Sequence, residues 1–135
     1  MKVLNNTRAV LMAVIGLLWI VSASSVQADV KDYEFQLVQS EVKKGDGVAI
    51  AVRLINKKTS EMVPDAVIFA KRIDMAPDGM ATMTAPLEAS PSTEPGVYHF
   101  RAKLTMAGNW QLSLAAKVQG EEGTVENKLV LKILP

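Results

Sequence analysis

From Tyr33 to the C-terminus the apolar residues recur at every second position, and Gly, Pro, Asn and Asp clusters separate the runs. That period predicts strands rather than helices. Tyr33, Phe35 and Leu37 share one face of a first strand, closed by a turn at Lys43-Lys44-Gly45-Asp46-Gly47. Val48, Ile50, Val52 and Leu54 alternate with Ala49, Ala51 and Arg53 in a second, which Asn56-Lys57-Lys58-Thr59-Ser60 ends. Ala66 to Ile73 is a third, with Val67 and Phe69 opposite Ile68, so the pattern leaves its buried face and its sheet open. A short fourth strand is expected through Ala81, Met83, Ala85 and Leu87, before a loop bearing Pro86, Pro91 and Pro95. Tyr98, Phe100, Ala102 and Leu104 form the fifth. Gly108-Asn109 is read as the turn into Trp110, Leu112, Leu114, Ala116 and Val118, the most regular alternation in the chain. A Gly120 to Gly123 turn precedes the last strand, where Leu129, Leu131 and Ile133 face inward and Lys128 and Lys132 outward.

About seven short strands at this spacing predict an all-β, immunoglobulin-like sandwich of two antiparallel sheets, because each amphipathic sheet must cover its apolar face with another. Trp110 is its expected central core residue. With no Cys in the chain, no disulfide crosses that core, and packing alone holds the sheets.

The N-terminus reads differently. Lys2 and Arg8 precede an uncharged apolar run of 13 residues, Ala9 to Val21, which is short for a membrane span. Val26-Gln27-Ala28 then offers a cleavage site, so residues 1–28 are expected to be a signal peptide cut before Asp29, with residues 29–135 forming one exported, periplasmic domain. The alternative is a retained anchor with Trp19 near the membrane interface. No Cys follows the apolar run, which excludes a lipoprotein anchor.

Charge and motif content narrow the function classes. The full chain carries 15 Lys plus Arg against 14 Asp plus Glu, and loss of Lys2 and Arg8 leaves 13 against 14. That balance gives no cationic surface for a phosphate backbone, so nucleic acid is not an expected partner. No G-x-S-x-G, H-E-x-x-H, P-loop or G-x-G-x-x-G motif is present, and no catalytic residue is nominated. His99, the sole histidine, alternates with Tyr98 and Phe100 and is read as a solvated strand residue. Asp74, Asp78, Glu121 and Glu122 are read as surface charges.

Methionine stands out. Met62, Met75, Met80, Met83 and Met106 follow the expected cleavage site, and Pro77-Asp78-Gly79 is a turn signal that places Met75 and Met80 on either side of a bend. Thioether sulfur is a soft, uncharged donor suited to Cu(I), and it needs no deprotonation. Met75, Met80, Met83 and Met106 are therefore the candidate metal ligands. The competing reading makes them flexible gap-fillers, Met83 beside Ala81, Ala85 and Leu87 and Met106 beside the Leu104 face.

The order Val63-Pro64-Asp65-Ala66, Ile73-Asp74-Met75-Ala76-Pro77-Asp78-Gly79-Met80, Pro95-Gly96-Val97-Tyr98 and Leu104-Thr105-Met106-Ala107-Gly108-Asn109-Trp110-Gln111-Leu112 resembles the YtkA-like or FixH-like domain family. The resemblance implies a small exported or membrane-tethered β-sandwich that accompanies heavy-metal or copper handling, in efflux systems of the resistance-nodulation-division type or in copper-oxidase assembly. It also implies Met near Met75, Met80 and Met83, and a Met-x-Gly-x-Trp segment at Met106, Gly108 and Trp110. No histidine accompanies the cluster here, which tells against Cu(II) and leaves Cu(I) or no metal at all. The expected function is a periplasmic accessory protein for copper whose partners are efflux or oxidase-assembly components. The alternative is an interaction module that docks on a transporter or envelope complex without metal.

Overall fold

A computed structural model describes residues 30–135; the expected signal peptide and its cleavage site lie outside the described residues. Nine strands follow a single 3-10 turn at Val30–Asp32: β1 (Tyr33–Leu37), β2 (Glu41–Lys43), β3 (Gly45–Asn56), β4 (Ala66–Met75), β5 (Met80–Thr84), β6 (Leu87–Ser90), β7 (Val97–Leu104), β8 (Gly108–Val118) and β9 (Val125–Leu134). They form two sheets, ordered β1-β3-β7-β6 and β2-β9-β8-β4-β5. Apart from the parallel β2–β9 pair, neighbours are antiparallel. The core sheet order, β1-β3-β7-β6 against β9-β8-β4, is that of an immunoglobulin sandwich, as expected.

The core lies between the sheets. Phe35, Ile50, Val52, Leu54, Phe100 and Leu104 come from one sheet, and Ile73, Met75, Trp110, Leu112, Leu131 and Ile133 from the other. Trp110 is buried, and its indole N–H donates to the Met106 carbonyl at 3.0 Å, so the large ring is sealed in with its one polar atom satisfied. On β7, the Tyr98 ring packs edge-on against Phe35. Its hydroxyl accepts from the Ala66 N–H at 3.1 Å and donates to the Val63 carbonyl at 2.7 Å, which fixes the entry into β4 from the opposite sheet.

Three sequence expectations are corrected. The expected turn at Lys43 to Gly47 is two strands with only Lys44 between them, because the chain crosses after Leu37 from one sheet to the other and pairs Glu41–Lys43 with Lys132–Leu134. The expected fourth strand is two strands in different sheets. Pro86 marks the crossing: it has no N–H to donate, and its carbonyl accepts from the Lys103 N–H at 3.1 Å. Gly108-Asn109 opens β8 instead of turning before it, and the reversal lies at Thr105–Ala107.

The face and sheet of β4, which the sequence pattern leaves open, are set by its pairing. The ladder to β8 shifts between Ile68 and Ala70, so Phe69 is an extra residue and the inward phase changes along the strand. Val67 and Phe69 are exposed while Ile73, Asp74 and Met75 are buried. The strand belongs to the five-stranded sheet and is buried strongly only in its last third.

Candidate functional site

At one end of the five-stranded sheet, β4 turns into the edge strand β5 through a single 3-10 turn, Ala76–Asp78. Pro77 presets the turn, and Gly79 closes it at φ 77°, a left-handed conformation that costs glycine no steric penalty. Its N–H returns to the Ala76 carbonyl at 2.9 Å. Met75 and Met80 are thereby direct partners across the turn. The next register position joins Asp74 to Thr84, so Ala81, Thr82 and Met83 are looped out of the ladder and every residue of β5 is exposed.

Two carboxylates build this end: Asp74 is buried, which corrects its reading as a surface charge, whereas Asp78 is exposed as read. The Asp74 Oδ2 accepts from the Arg72 Nε–H at 2.8 Å and its Oδ1 from the Ala76 N–H at 2.9 Å. The Arg72 guanidinium foremost, and then that backbone N–H, hold its carboxyl below the usual carboxylate range against the opposing effect of burial. Arg72 extends the network, since its Nη2 donates to the Ala81 carbonyl at 2.7 Å and pins the looped-out part of β5. Asp78 reaches to the start of β8: Oδ2 accepts from the Asn109 N–H at 2.8 Å and Oδ1 from the Asn109 Nδ2–H at 2.9 Å. Both bonds lower its pKa, the backbone one more than the side-chain one.

The nominated methionines occupy this end in two different states. Met75 is 1% exposed and belongs to the core. A Cβ on Gly108 would stand 2.7 Å from its terminal methyl, so the glycine is where β8 passes over the Met75 side chain. Met80, Met83 and Met106 are 38, 39 and 43% exposed. Met106 is therefore not a core residue, because its loop turns the side chain outward while its carbonyl serves Trp110. Met83 does not pack with Ala81 and Leu87 as period two predicts, because the looped-out register removes it from the ladder. Met62 lies elsewhere, bridged to Ile55 and pressed against Gly96.

Three exposed thioethers thus flank one turn, with a fourth beneath it: Met80 and Met83 on β5, Met106 two residues before Gly108, and Met75 under that glycine. Among the described residues no group of three or more His, Cys, Asp or Glu is placed to hold a metal ion. Asp74 and Asp78 have their oxygens engaged by Arg72, Ala76 and Asn109. The exposed thioethers of this edge are soft, neutral donors. His99 is half-buried and paired with Ala51 and Ser90 on the other sheet, away from the cluster.

A comparison with curated proteins returned no match. Among solved structures, the chain is similar to the crystal structure of the Lin-41 filamin domain, at 16% sequence identity and a TM-score of 0.46, covering 79% of this chain and 94% of that one. The fold assignment rests on the strand order given above. The YtkA-like family model matches residues 27–115, from before β1 through most of β8 and including every residue of the methionine edge. By that match over well over half of its length, the chain is a member of the YtkA-like family.

Proposed function

We propose that this protein is an exported, periplasmic accessory domain that carries Cu(I) on the methionine edge and passes it to an efflux or copper-oxidase-assembly component. The observation that carries the reading is the exposure of Met80, Met83 and Met106 around one braced turn. Thioether sulfur favours Cu(I) over harder ions, and it stays neutral and competent where thiols would oxidise. Neutral donors bind individually weakly, which suits exchange with a partner better than storage. Met75 supports the edge from within the core. Catalysis forms no part of the role.

The second reading, docking without metal, draws on β5 itself, an uncharged and wholly exposed edge strand whose methionines would serve as adaptable apolar contacts. Anaerobic Cu(I) titration of the chain from Asp29, in competition with a chelator, separates the two. Replacement of Met80, Met83 and Met106 by Leu keeps the apolar contact surface and removes the sulfur, so loss of Cu(I) supports the first reading and unchanged Cu(I) binding removes it.

A further inference from the structure

The opposite side of the sandwich from the β2 edge holds a cleft of about 590 Å³ between the two sheets, walled by Ile68, Val97 and Phe100. It exists because β5 covers only the end of β4. β5 pairs with Asp74 and Met75 alone, so β4 from Ala66 to Arg72 has no strand beyond it. Across the cleft β6 is the last strand of the other sheet.

Both strands present unused backbone groups there. The Ala85 N–H donates to the Ile73 carbonyl, which shows that the Ile73 peptide faces away from β8; Lys71, two residues back, faces the same way with nothing opposite it. On β6 the Lys103 N–H donates to the Pro86 carbonyl, so Pro86, Glu88 and Ser90 face β7 while Leu87 and Ala89 face outward. Ala89 lines the cleft, as does Lys71.

Lys71 decides what fits. Its ladder partner is the core residue Leu114, so its side chain leaves β4 on the interior side and stands over the cleft. It makes no ion pair among the described residues. An inward-pointing lysine on an open edge opposes pairing with an apolar strand, which guards against self-association. The same charge favours a strand with a carboxylate at that position. The lining's single carboxylate, Glu94, lies in the β6–β7 connection.

We infer that the β4–β6 cleft is a docking site for an extended peptide segment of a partner protein, one that adds as a strand to the free edge of β4, packs apolar side chains against Ile68 and Val97, and sets an acidic side chain against Lys71. Backbone hydrogen bonds supply the affinity and the cleft supplies the selection. The site is separate from the methionine edge and does not depend on copper binding.

The test uses the ¹⁵N-labelled chain from Asp29, which contains every strand and core residue described. The probe is a synthetic peptide of about nine residues, alternating Thr and Val with one central Glu, alongside its counterpart with central Lys. The Glu peptide is expected to shift the amides of Ile68, Lys71 and Ala89 and to slow their hydrogen exchange. Lys71→Glu should weaken the Glu peptide by about tenfold and make the Lys peptide the better ligand, and the neutral Lys71→Gln should remove the preference without reversing it. No shift at millimolar peptide, shifts confined to another edge, or a charge preference unchanged in both variants would each overturn the inference. Cu(I) binding by the same samples is expected to stay at the wild-type level, so a failure here is distinct from a failure of the copper reading.

Discussion

Asp78 holds Asn109 by two hydrogen bonds, one to its backbone N–H at 2.8 Å and one to its side-chain amide at 2.9 Å, and so ties the β4–β5 turn to the first residues of β8. The contact sits between Met80 on one side and Met106 on the other along the chain. Asp78→Ala should leave the sandwich folded but lower its thermal midpoint and speed amide exchange at Asn109. An unchanged exchange rate there would mean that the turn holds its place without the clamp.

Acid should loosen the same end. Asp74 and Asp78 both have folded-state pKa values below the ordinary 3.8, so the stability they contribute is complete above that value and is lost as pH falls through their lowered values. Thermal midpoints measured from neutral pH downward should therefore be insensitive to these two groups until the pH passes below the ordinary carboxylate range, and then drop. In Asp74→Asn the acid-induced drop should be smaller. A midpoint that falls equally in wild type and variant would remove Asp74 from the account.

Gly108 lies against Met75. A Cβ at that position would meet the Met75 methyl and the Asp78 carboxylate oxygen, each at 2.7 Å, and the glycine has φ 144°. Gly108→Ala should cost about 1 to 3 kcal/mol in urea unfolding, the usual range for overpacking a filled site. Combining it with Met75→Ala should cost less than the two single changes added together, since the second makes room for the first. Strict additivity would place the strain in the backbone alone.

Trp110→Ala should cost on the order of 3 to 5 kcal/mol, because it removes the largest side chain of the core and its hydrogen bond to the Met106 carbonyl. Chemical denaturation measures it directly. A loss below about 1 kcal/mol would mean that the ring is not a packing element.

The parts of this fold that were legible in the sequence are those where period two runs without interruption. From Trp110 to Val118 the alternate side chains are buried, and Leu131 and Ile133 face inward as read. What was not legible depends on long-range pairing or on a local change of phase. Glu41–Lys43 has one half-buried residue and becomes a strand only because β9, about two thirds of the chain length away in sequence, lies beside it. The extra residue at Phe69 and the looped-out segment at Ala81–Met83 each reset the inside–outside phase, which is why Met75 is buried and Met83 is not. The role of Asp74 does have a local signal in the sequence. An Asp two residues before Ala76, at the mouth of a Pro turn, is the pattern in which a carboxylate accepts the N–H two positions on, and it does so here at 2.9 Å. For Asp78 no local signal existed, since Asn109 comes to it only through the fold.

The central claim is that the exposed thioethers, and not the buried one, carry Cu(I). Anaerobic Cu(I) competition titration of the chain from Asp29 tests it most directly when wild type is set beside Met75→Leu and the combined Met80→Leu, Met83→Leu, Met106→Leu variant. The account predicts wild-type competition that is nearly retained in Met75→Leu and lost in the combined variant, with the thermal midpoint of the combined variant close to wild type because Leu and Met match in volume and those positions are exposed. A combined variant that folds normally and still competes for Cu(I) as wild type does would contradict it.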